Sequence, residues 1–526
     1  MNKPVLDTLT QILGTDGVSE VDTDRALFSE DIWAKGELAD VVITPTTTQQ
    51  LADAVAVAHR AKMPLNPRGG GMSYTKGYTP DRVGTAMLDL SKMDRILEIN
   101  ALDMTVTVQA GVTWAELYEA LAPLGLRTPF WGPLSGLSST IGGGLSQNNA
   151  FFGAGTHGPS TDSVTSLTVV LADGTVVKTG TAASPKGKPF WRQYGPDLTG
   201  LFLADAGAFG YKAEATLRLI PLPTDEAHAS MEFESAHDWA EAMAEMGRLG
   251  FACELFGFDP NLQVVRMKRA SLAADFKTLG NVVTKGKGGL LKGLADGAKV
   301  VLSGRSFIDE AAYSLHWIVE GYDKGEVSAK MDRLKEIAES HGGKAIDNSI
   351  PKIMRTNPFG PLNSILGPQG ERWVPIHGIV SMGDGPACVA AMDRMFAEMK
   401  PELDAHEITT GYLLTTLSTN GYLVEPVFIW PEEIHPIHEQ SVEPSVLKRA
   451  TRFEANPAAT ALVTKARQNV MDIFTEFGAA HFQIGRTYPY HDNLSDETKG
   501  VLEGIKRLLD PDGLVNAGSL GLNRCT

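Results

Sequence analysis

The sequence predicts a chain of two or more domains that mixes helix and strand, and three observations lead there. Its 526 residues exceed the ~250–300 at which one core stops growing. Stretches with helical apolar spacing alternate with short strand-like runs. Two glycine-rich stretches stand apart in the chain, and the first follows a helical stretch instead of opening one.

In chain order, residues 1–35 read as a helical lead-in through Leu6, Leu9, Ile12 and Leu13. Val41-Val42-Ile43 reads as a short buried strand. Pro45 and Thr46 to Thr48 cap a helix over roughly 49–61, where Leu51, Ala54, Val55 and Ala58 keep a helical period. Pro64-Leu65-Asn66-Pro67 then leads into Arg68-Gly69-Gly70-Gly71-Met72-Ser73-Tyr74, with Gly77 beyond. Three glycines leave the backbone without Cβ atoms, so successive N–H groups can converge as an anion nest. Arg68 adds a planar fork of donors suited to phosphate oxygens. The plain alternative is a flexible surface turn. Because this loop follows the helix rather than preceding it, a doubly wound nicotinamide fold is disfavoured.

Residues 86–91, 96–99 and 105–112 read as strands. Thr113 is an N-cap, and Glu116 completes a capping box for a helix over 114–122. The second glycine-rich stretch runs over 129–162. It contains Ser138-Ser139-Thr140-Ile141-Gly142-Gly143-Gly144, Asn148-Asn149, Gly153, Gly155-Thr156-His157-Gly158 and Asp162. Such a run is uncommon in a compact domain unless it binds something. Strands over 166–172 and 175–178 meet at Asp173-Gly174, a hairpin signal. Gly207-Ala208-Phe209-Gly210-Tyr211 precedes a strand over 215–220. From 224 to 460 helix and strand patterns continue. A Lys/Gly-rich stretch at 277–299 reads as a solvated loop or as a basic segment for a membrane surface.

Composition narrows the function. A net charge of −16 argues against nucleic-acid binding, which needs a basic face. No run of ~18 apolar residues marks a membrane span, and the first residues lack the apolar core of a signal peptide. Cys253, Cys388 and Cys525 show no CxxC and no metal spacing. The expectation is a cytoplasmic protein with reduced thiols.

In order and spacing, these residues resemble the flavoprotein superfamily named after vanillyl-alcohol oxidase and p-cresol methylhydroxylase (PCMH). The likeness covers 41–223: the Arg68 loop, Val108-x-x-Gly111-Val112, Thr140-Ile141-Gly142-Gly143 with Asn148, Asp173-Gly174 and Gly207-x-x-Gly210. It resumes over 505–518, through Asp510-Pro511-Asp512-Gly513-Leu514-Val515-Asn516. The resemblance implies an α+β fold. A PCMH-type FAD-binding domain would fill 1–223, in two α+β subdomains at about 36–100 and 101–223. An α+β cap over 224–460 would cover the substrate, and 461–526 would return to the FAD domain. FAD would be held by Arg68, Gly69, Gly70, Gly71, Met72, Ser73, Pro133, Ser139, Thr140, Gly143, Asn148, Gly155, Gly158, Gly207, Gly210, Tyr211, Arg486 and Asn516.

The resemblance also sets the chemistry expected. Arg486, in His481-Phe482-Gln483-Ile484-Gly485-Arg486-Thr487-Tyr488-Pro489-Tyr490, matches an arginine that relatives place near the substrate oxygen, where a guanidinium would stabilise an oxyanion. Tyr488 and Tyr490 would line the site, or simply pack. His377, after Trp373-Val374-Pro375, is a candidate base near neutral pH, or a satisfied core histidine. His435 and His438, with Glu432 and Glu433, look metal-like but lack a third ligand at a fixed offset, so no metal is expected. Members with covalent flavin carry His or Tyr at the place of Gly370, or His at that of Met72, so the FAD is expected to be non-covalent. The tyrosines and aspartate of the usual phenolate clamp are replaced by Met72, Gly485 and Leu134.

The activity implied is FAD-dependent oxidation of an aromatic or benzylic alcohol or substituted phenol by hydride transfer to flavin N5. The alternatives are a 2-hydroxy-acid dehydrogenase, whose C-terminal His-x-Gly-Asp-Gly-Asn-x-His motif is missing, and a flavin-binding subunit without turnover. A homodimer and an acceptor that is oxygen or a redox protein are further expectations.

Overall fold

The computed structural model describes residues 3–271 and 312–522. The Lys/Gly-rich stretch 277–299 and Cys525 lie outside them. Two compact units emerge. Unit 1 comprises Met1–Ala150, Pro159–Leu222 and Phe482–Thr526; unit 2 comprises Phe151–Gly158 and Pro223–His481.

Among the described residues unit 1 holds two larger sheets and a two-stranded one. The first has the order β1 (Val18–Ser19), β2 (Val41–Ile43), β4 (Ala86–Asp89), β3 (Leu65–Arg68). β4 runs parallel to both β2 and β3. Parallel neighbours need a crossover, and the helix Thr48–Arg60 supplies it between β2 and β3. Thr47 caps that helix by accepting from Gln50 N at 3.1 Å, a contact type that contributes about 1 kcal/mol. The second sheet is antiparallel, in the order β5 (Ile96–Asn100), β6 (Thr105–Gln109), β10 (Tyr211–Arg218), β8 (Val164–Val170), β9 (Val176–Lys178). The short β7 (Leu126–Arg127) pairs with β11 (Ile220–Pro221).

One core joins both sheets to the crossover helix. Leu51, Val55 and Ala58 meet Val41, Ile43, Leu65 and Leu88 of the first sheet and Val170 and Tyr211 of the second. Burying each large aliphatic side chain contributes roughly 1.5–3 kcal/mol. The anticipated capping box is present: Thr113 Oγ1 accepts from Glu116 N at 3.2 Å, and Glu116 Oε2 accepts from Thr113 N at 2.9 Å. The Asp173-Gly174 turn joins antiparallel β8 and β9, with Gly174 at φ +90°. The C-terminal return extends the first sheet. Leu65 N donates to Leu514 O and Asn516 N to Leu65 O, at 2.9 and 3.0 Å. The lead-in is less helical than expected, because β1 interrupts the helices Lys3–Leu13 and Asp22–Phe28.

Among the described residues unit 2 is an eight-stranded antiparallel sheet with helices on it. Its order is β15 (Lys344–Ala345), β12 (Asp225–Phe233), β14 (Tyr313–Gly321), β13 (Glu254–Phe258), β18 (Thr409–Leu417), β19 (Gly421–Trp430), β16 (Arg372–Pro375), and β17 (Gly378–Ser381) also pairs with β19. Buried Trp239 and Trp317 tie the helices Ala236–Gly247 and Lys324–Ser340 to the sheet. Trp239 Nε1 donates to Ser314 O at 2.9 Å, and Trp317 Nε1 points at Met331 Sδ at 3.1 Å. The segment Phe151–Gly158 belongs to this unit. Gly155 N donates to Cys253 O, and Ser418 N to Ala154 O.

Candidate functional site

The first glycine loop leaves β3 at Arg68 and passes Ser138 to Thr140 at backbone distance. A Cβ on Gly70 would overlap the Ser138 carbonyl, and one on Gly69 would overlap Thr140 Oγ1. Gly71 sits at φ +76°, where a side chain is strained. The Arg68 guanidinium fills the space beside Gly71. It lies 4.2 Å from the Phe28 ring centroid and 5.5 Å from that of Tyr78. Such stacking fixes the plane of a guanidinium without using its N–H donors. Among the described residues, Arg68 Nε has no hydrogen-bond partner. The N–H groups of Gly69, Gly70, Gly71, Met72 and Ser73 likewise donate to none of the described residues. Five consecutive amide donors and a buried cation thus share one loop.

The second glycine stretch is mostly closed on itself. Pro133 O accepts from Gly136 N at 2.9 Å, and Ser139 O from Trp114 N at 3.2 Å. Thr140 caps the helix Ile141–Gln147 through Gly143 N at 3.3 Å. Asn148 ends it in a left-handed conformation at φ +53°, its Oδ1 accepting from Thr161 Oγ1 at 2.8 Å. Its neighbour Asn149 has no role that the sequence alone assigns. Its carboxamide is buried, and neither Oδ1 nor Nδ2 is bonded among the described residues. Trp114 Nε1 is buried and unmatched in the same way. Both press on Gly144, where a Cβ would stand 2.7 Å from Asn149 Nδ2 and 2.8 Å from Trp114 Nε1. The sequence signal was the Asn148-Asn149 pair itself, and only folding tells which member keeps its hydrogen bonds open. A buried unmatched amide costs about 1–3 kcal/mol unless something bonds it.

The remaining assigned residues fall in different places. Gly207, at φ +71°, packs on Pro67, and Gly210 packs on Val169 and Val170. The Tyr211 hydroxyl donates to Leu65 O at 3.2 Å, and burial raises its pKa well above the usual value. Gly155 and Gly158 belong to unit 2, where a Cβ on Gly155 would crowd the Ala252 and Cys253 carbonyls. Asn516 bridges loops of unit 1, its Nδ2 donating to Gly77 O at 2.9 Å and to Ala206 O at 2.7 Å.

Arg486 is a clamp within unit 1. Its Nε donates to Ala517 O at 3.1 Å and its Nη1 to Lys76 O at 2.8 Å. Nη2 donates to Asn516 Oδ1 at 2.8 Å and to Ala517 O at 2.5 Å. Burial lowers its pKa to about 10, with Asp81 opposing. Tyr488 is buried in the same unit, and the half-buried Tyr490 has its pKa raised by burial. In the same region Gln483 Nε2 donates to the Tyr74 hydroxyl at 3.0 Å.

His377 is fully buried in unit 2, and its carbonyl lies 2.9 Å from His481 Nδ1. Burial, then His481 and Arg467, hold its pKa well below the usual value, so the ring is neutral at physiological pH. His435 N approaches His438 Nδ1 at 3.2 Å. Among the described residues no group of three His, Cys, Asp or Glu side chains is placed to hold a metal. No helix among them is long and apolar enough to cross a membrane.

Comparison with known proteins fits this geometry. Residues 39–180 match the FAD binding domain family model. The chain is 29% identical over 255 residues to the mitochondrial D-lactate dehydrogenase [cytochrome] 1 of Saccharomyces cerevisiae, covering 47% of this chain and 42% of that protein. It is 30% identical over 247 residues to glycolate oxidase subunit GlcD of Bacillus subtilis, covering 47% and 51%. The chain thus spans about half the length of these curated relatives. Among solved structures, p-cresol methylhydroxylase with substrate bound superposes with a TM-score of 0.74 at 16% identity, over 99% of this chain and 98% of that one. A 4-ethylphenol oxidase from Gulosibacter chungangensis gives 0.71 at 16%, over 99% and 97%.

Proposed function

Because this chain belongs to the PCMH-type FAD-binding flavoprotein superfamily, we propose that it is an FAD-dependent oxidoreductase that oxidises an aromatic or benzylic alcohol or substituted phenol. The observation that carries the cofactor reading is the open donor set of the first loop. The N–H groups of Gly69 to Ser73 and the Arg68 guanidinium would hold the pyrophosphate. The Asn149 carboxamide and Trp114 N–H would bond a polar edge of the cofactor. FAD, once bound, supplies the acceptor for a hydride equivalent.

The chain's own residues set what remains. Arg486 fixes the loop at Lys76 against Ala517 and Asn516, so here it is a positioning residue. Its donors are engaged by the Lys76 and Ala517 carbonyls and by Asn516 Oδ1, which leaves little to neutralise a substrate carboxylate and favours a substrate without one. His377 is fully buried, and burial holds its pKa, like that of His481, below the usual value, so its imidazolium is disfavoured and it is a packing residue rather than the base. The FAD is held non-covalently, since Gly370 and Met72 carry no group able to bond it. Denaturation in acid should release all of the flavin.

A second reading, oxidation of a 2-hydroxy acid, is favoured by the D-lactate and glycolate enzymes matched over 47% of the chain. Anaerobic mixing with benzylic alcohols, para-substituted phenols, D-lactate and glycolate separates the two. Bleaching of the visible flavin band by an aromatic compound alone supports the first. Bleaching by a hydroxy acid alone replaces it with the second. A flavin that no compound reduces leaves a binding protein without turnover.

A further inference from the structure

The segment 186–198 in unit 1, between β9 and β10, reads Lys-Gly-Lys-Pro-Phe-Trp-Arg-Gln-Tyr-Gly-Pro-Asp-Leu. Phe190, Trp191, Tyr194 and Leu198 stand 54, 58, 64 and 53% exposed. Four large apolar side chains at that exposure thus lie within nine positions of one segment. The backbone beneath them is pinned. Trp191 N donates to Thr181 Oγ1 at 3.2 Å, and Thr181 N donates to Trp191 O at 2.9 Å. Arg192 pairs with Asp197 at 2.9 Å and donates to Thr161 O at 3.0 Å. Asp197 caps the turn beyond through Gly200 N at 2.9 Å. Pro189 and Pro196 restrict the chain further. The rings take no part in these bonds.

Charge separates this tip from the rest of the molecule. Residues 186–198 carry Lys186, Lys188 and Arg192 against Asp197 alone, on a chain of net charge −16. Lys186 and Lys188 are exposed, and Lys188 reaches Asp103 only at 3.5 Å. Aromatic rings with polar tips favour the headgroup level of a bilayer, and nearby lysines favour anionic lipid. Size argues against a second copy of the chain. Half-exposed side chains of this kind present roughly 400 Å² in all, about half of the ~800 Å² that each partner of a standard interface buries.

We infer that this loop docks the protein on an anionic lipid surface, seating Phe190, Trp191 and Tyr194 among the headgroups with Lys186 and Lys188 on their phosphates. The test is flotation of the full flavin-loaded chain with phosphatidylcholine vesicles, with and without phosphatidylglycerol. Wild-type protein should float only with phosphatidylglycerol, and less as salt rises from about 0.1 M to about 1 M. F190S/W191S/Y194S and K186E/K188E should each lower binding about ten-fold or more, with Tm and flavin content unchanged. Three results overturn the inference. One is wild type that floats with neither vesicle, and another is phosphatidylglycerol binding that survives both variants. The third is a dimer in light scattering that the aromatic variant turns into a monomer, which assigns the patch to a second copy.

Discussion

Two glycine-bearing loops of unit 1 look alike in sequence and differ in what their backbones bond. Around Gly207 the polar groups close on the protein. Asp205 accepts from Gly207 N at 3.0 Å and from Phe209 N at 3.4 Å, and pairs with Lys212 Nζ at 2.6 Å. The Ala206 carbonyl takes Asn516 Nδ2, and the Ala208 carbonyl takes Lys506 Nζ at 2.7 Å. In the Arg68 loop, five successive N–H groups and Arg68 Nε meet no acceptor among the described residues. Glycine shows in both cases that the backbone passes close to something. Only the hydrogen-bond pattern distinguishes a joint that holds the fold from a cradle that receives a ligand.

The largest effect expected from testing this contrast is in the joint. Lys212→Met leaves Asp205 buried without its cation and should cost about 3–5 kcal/mol of stability. Flavin per folded molecule should stay near wild type in a titration monitored by absorbance. Loss of flavin with little loss of stability would erase the distinction between the loops. Gly70→Ala addresses the cradle. Its new methyl meets the Ser138 backbone, so a loss of about 3 kcal/mol and nearly flavin-free protein are expected. A variant as yellow and as stable as wild type would show that the loop does not pass Ser138 so closely.

Arg486→Lys keeps the charge and removes the fork that spans Lys76, Asn516 and Ala517. A fall of about 2 kcal/mol is expected, with alcohol-driven bleaching retained in the folded fraction. Unchanged Tm with bleaching abolished would return Arg486 to the substrate. The smallest effect concerns a carboxylate that, like Asp205, collects backbone donors but has Asp393 rather than a lysine beside it. Asp259 accepts from Leu262 N and Tyr412 N at 2.9 Å each. Burial, reinforced by Asp393, raises its pKa to about 7. A folded pKa above the unfolded value means stability present at low pH and lost as pH rises through about 7. Asp259→Asn should therefore stabilise the protein at pH 8 by on the order of 1 kcal/mol and leave it nearly unchanged at pH 4. Equal Tm differences at both pH values would count against a raised pKa.

Local codes were legible in the sequence because their partners lie three or four residues apart. The Thr113–Glu116 capping box, the crossover helix after Thr47 and the Asp173-Gly174 hairpin all follow from such short spacings. The crowding of glycine around Arg68 and Thr140 was visible for the same reason. Harder to read were assignments that depend on distant chain. Phe151–Gly158 lies inside the second glycine stretch yet belongs to unit 2, which also extends to His481. Asn149 differs from Asn148 only in which of them finds a partner after folding.

By itself the sequence determined a mixed helix-and-strand chain and a glycine loop after the first crossover helix, since both are written in the spacing of neighbours. Only the tertiary structure decided that Arg486 grips the Lys76 carbonyl, 410 positions away, and that Phe190, Trp191 and Tyr194 face outward. Donor pairing and exposure belong to surfaces that meet after the chain collapses, and one-dimensional spacing carries no record of which surfaces those are.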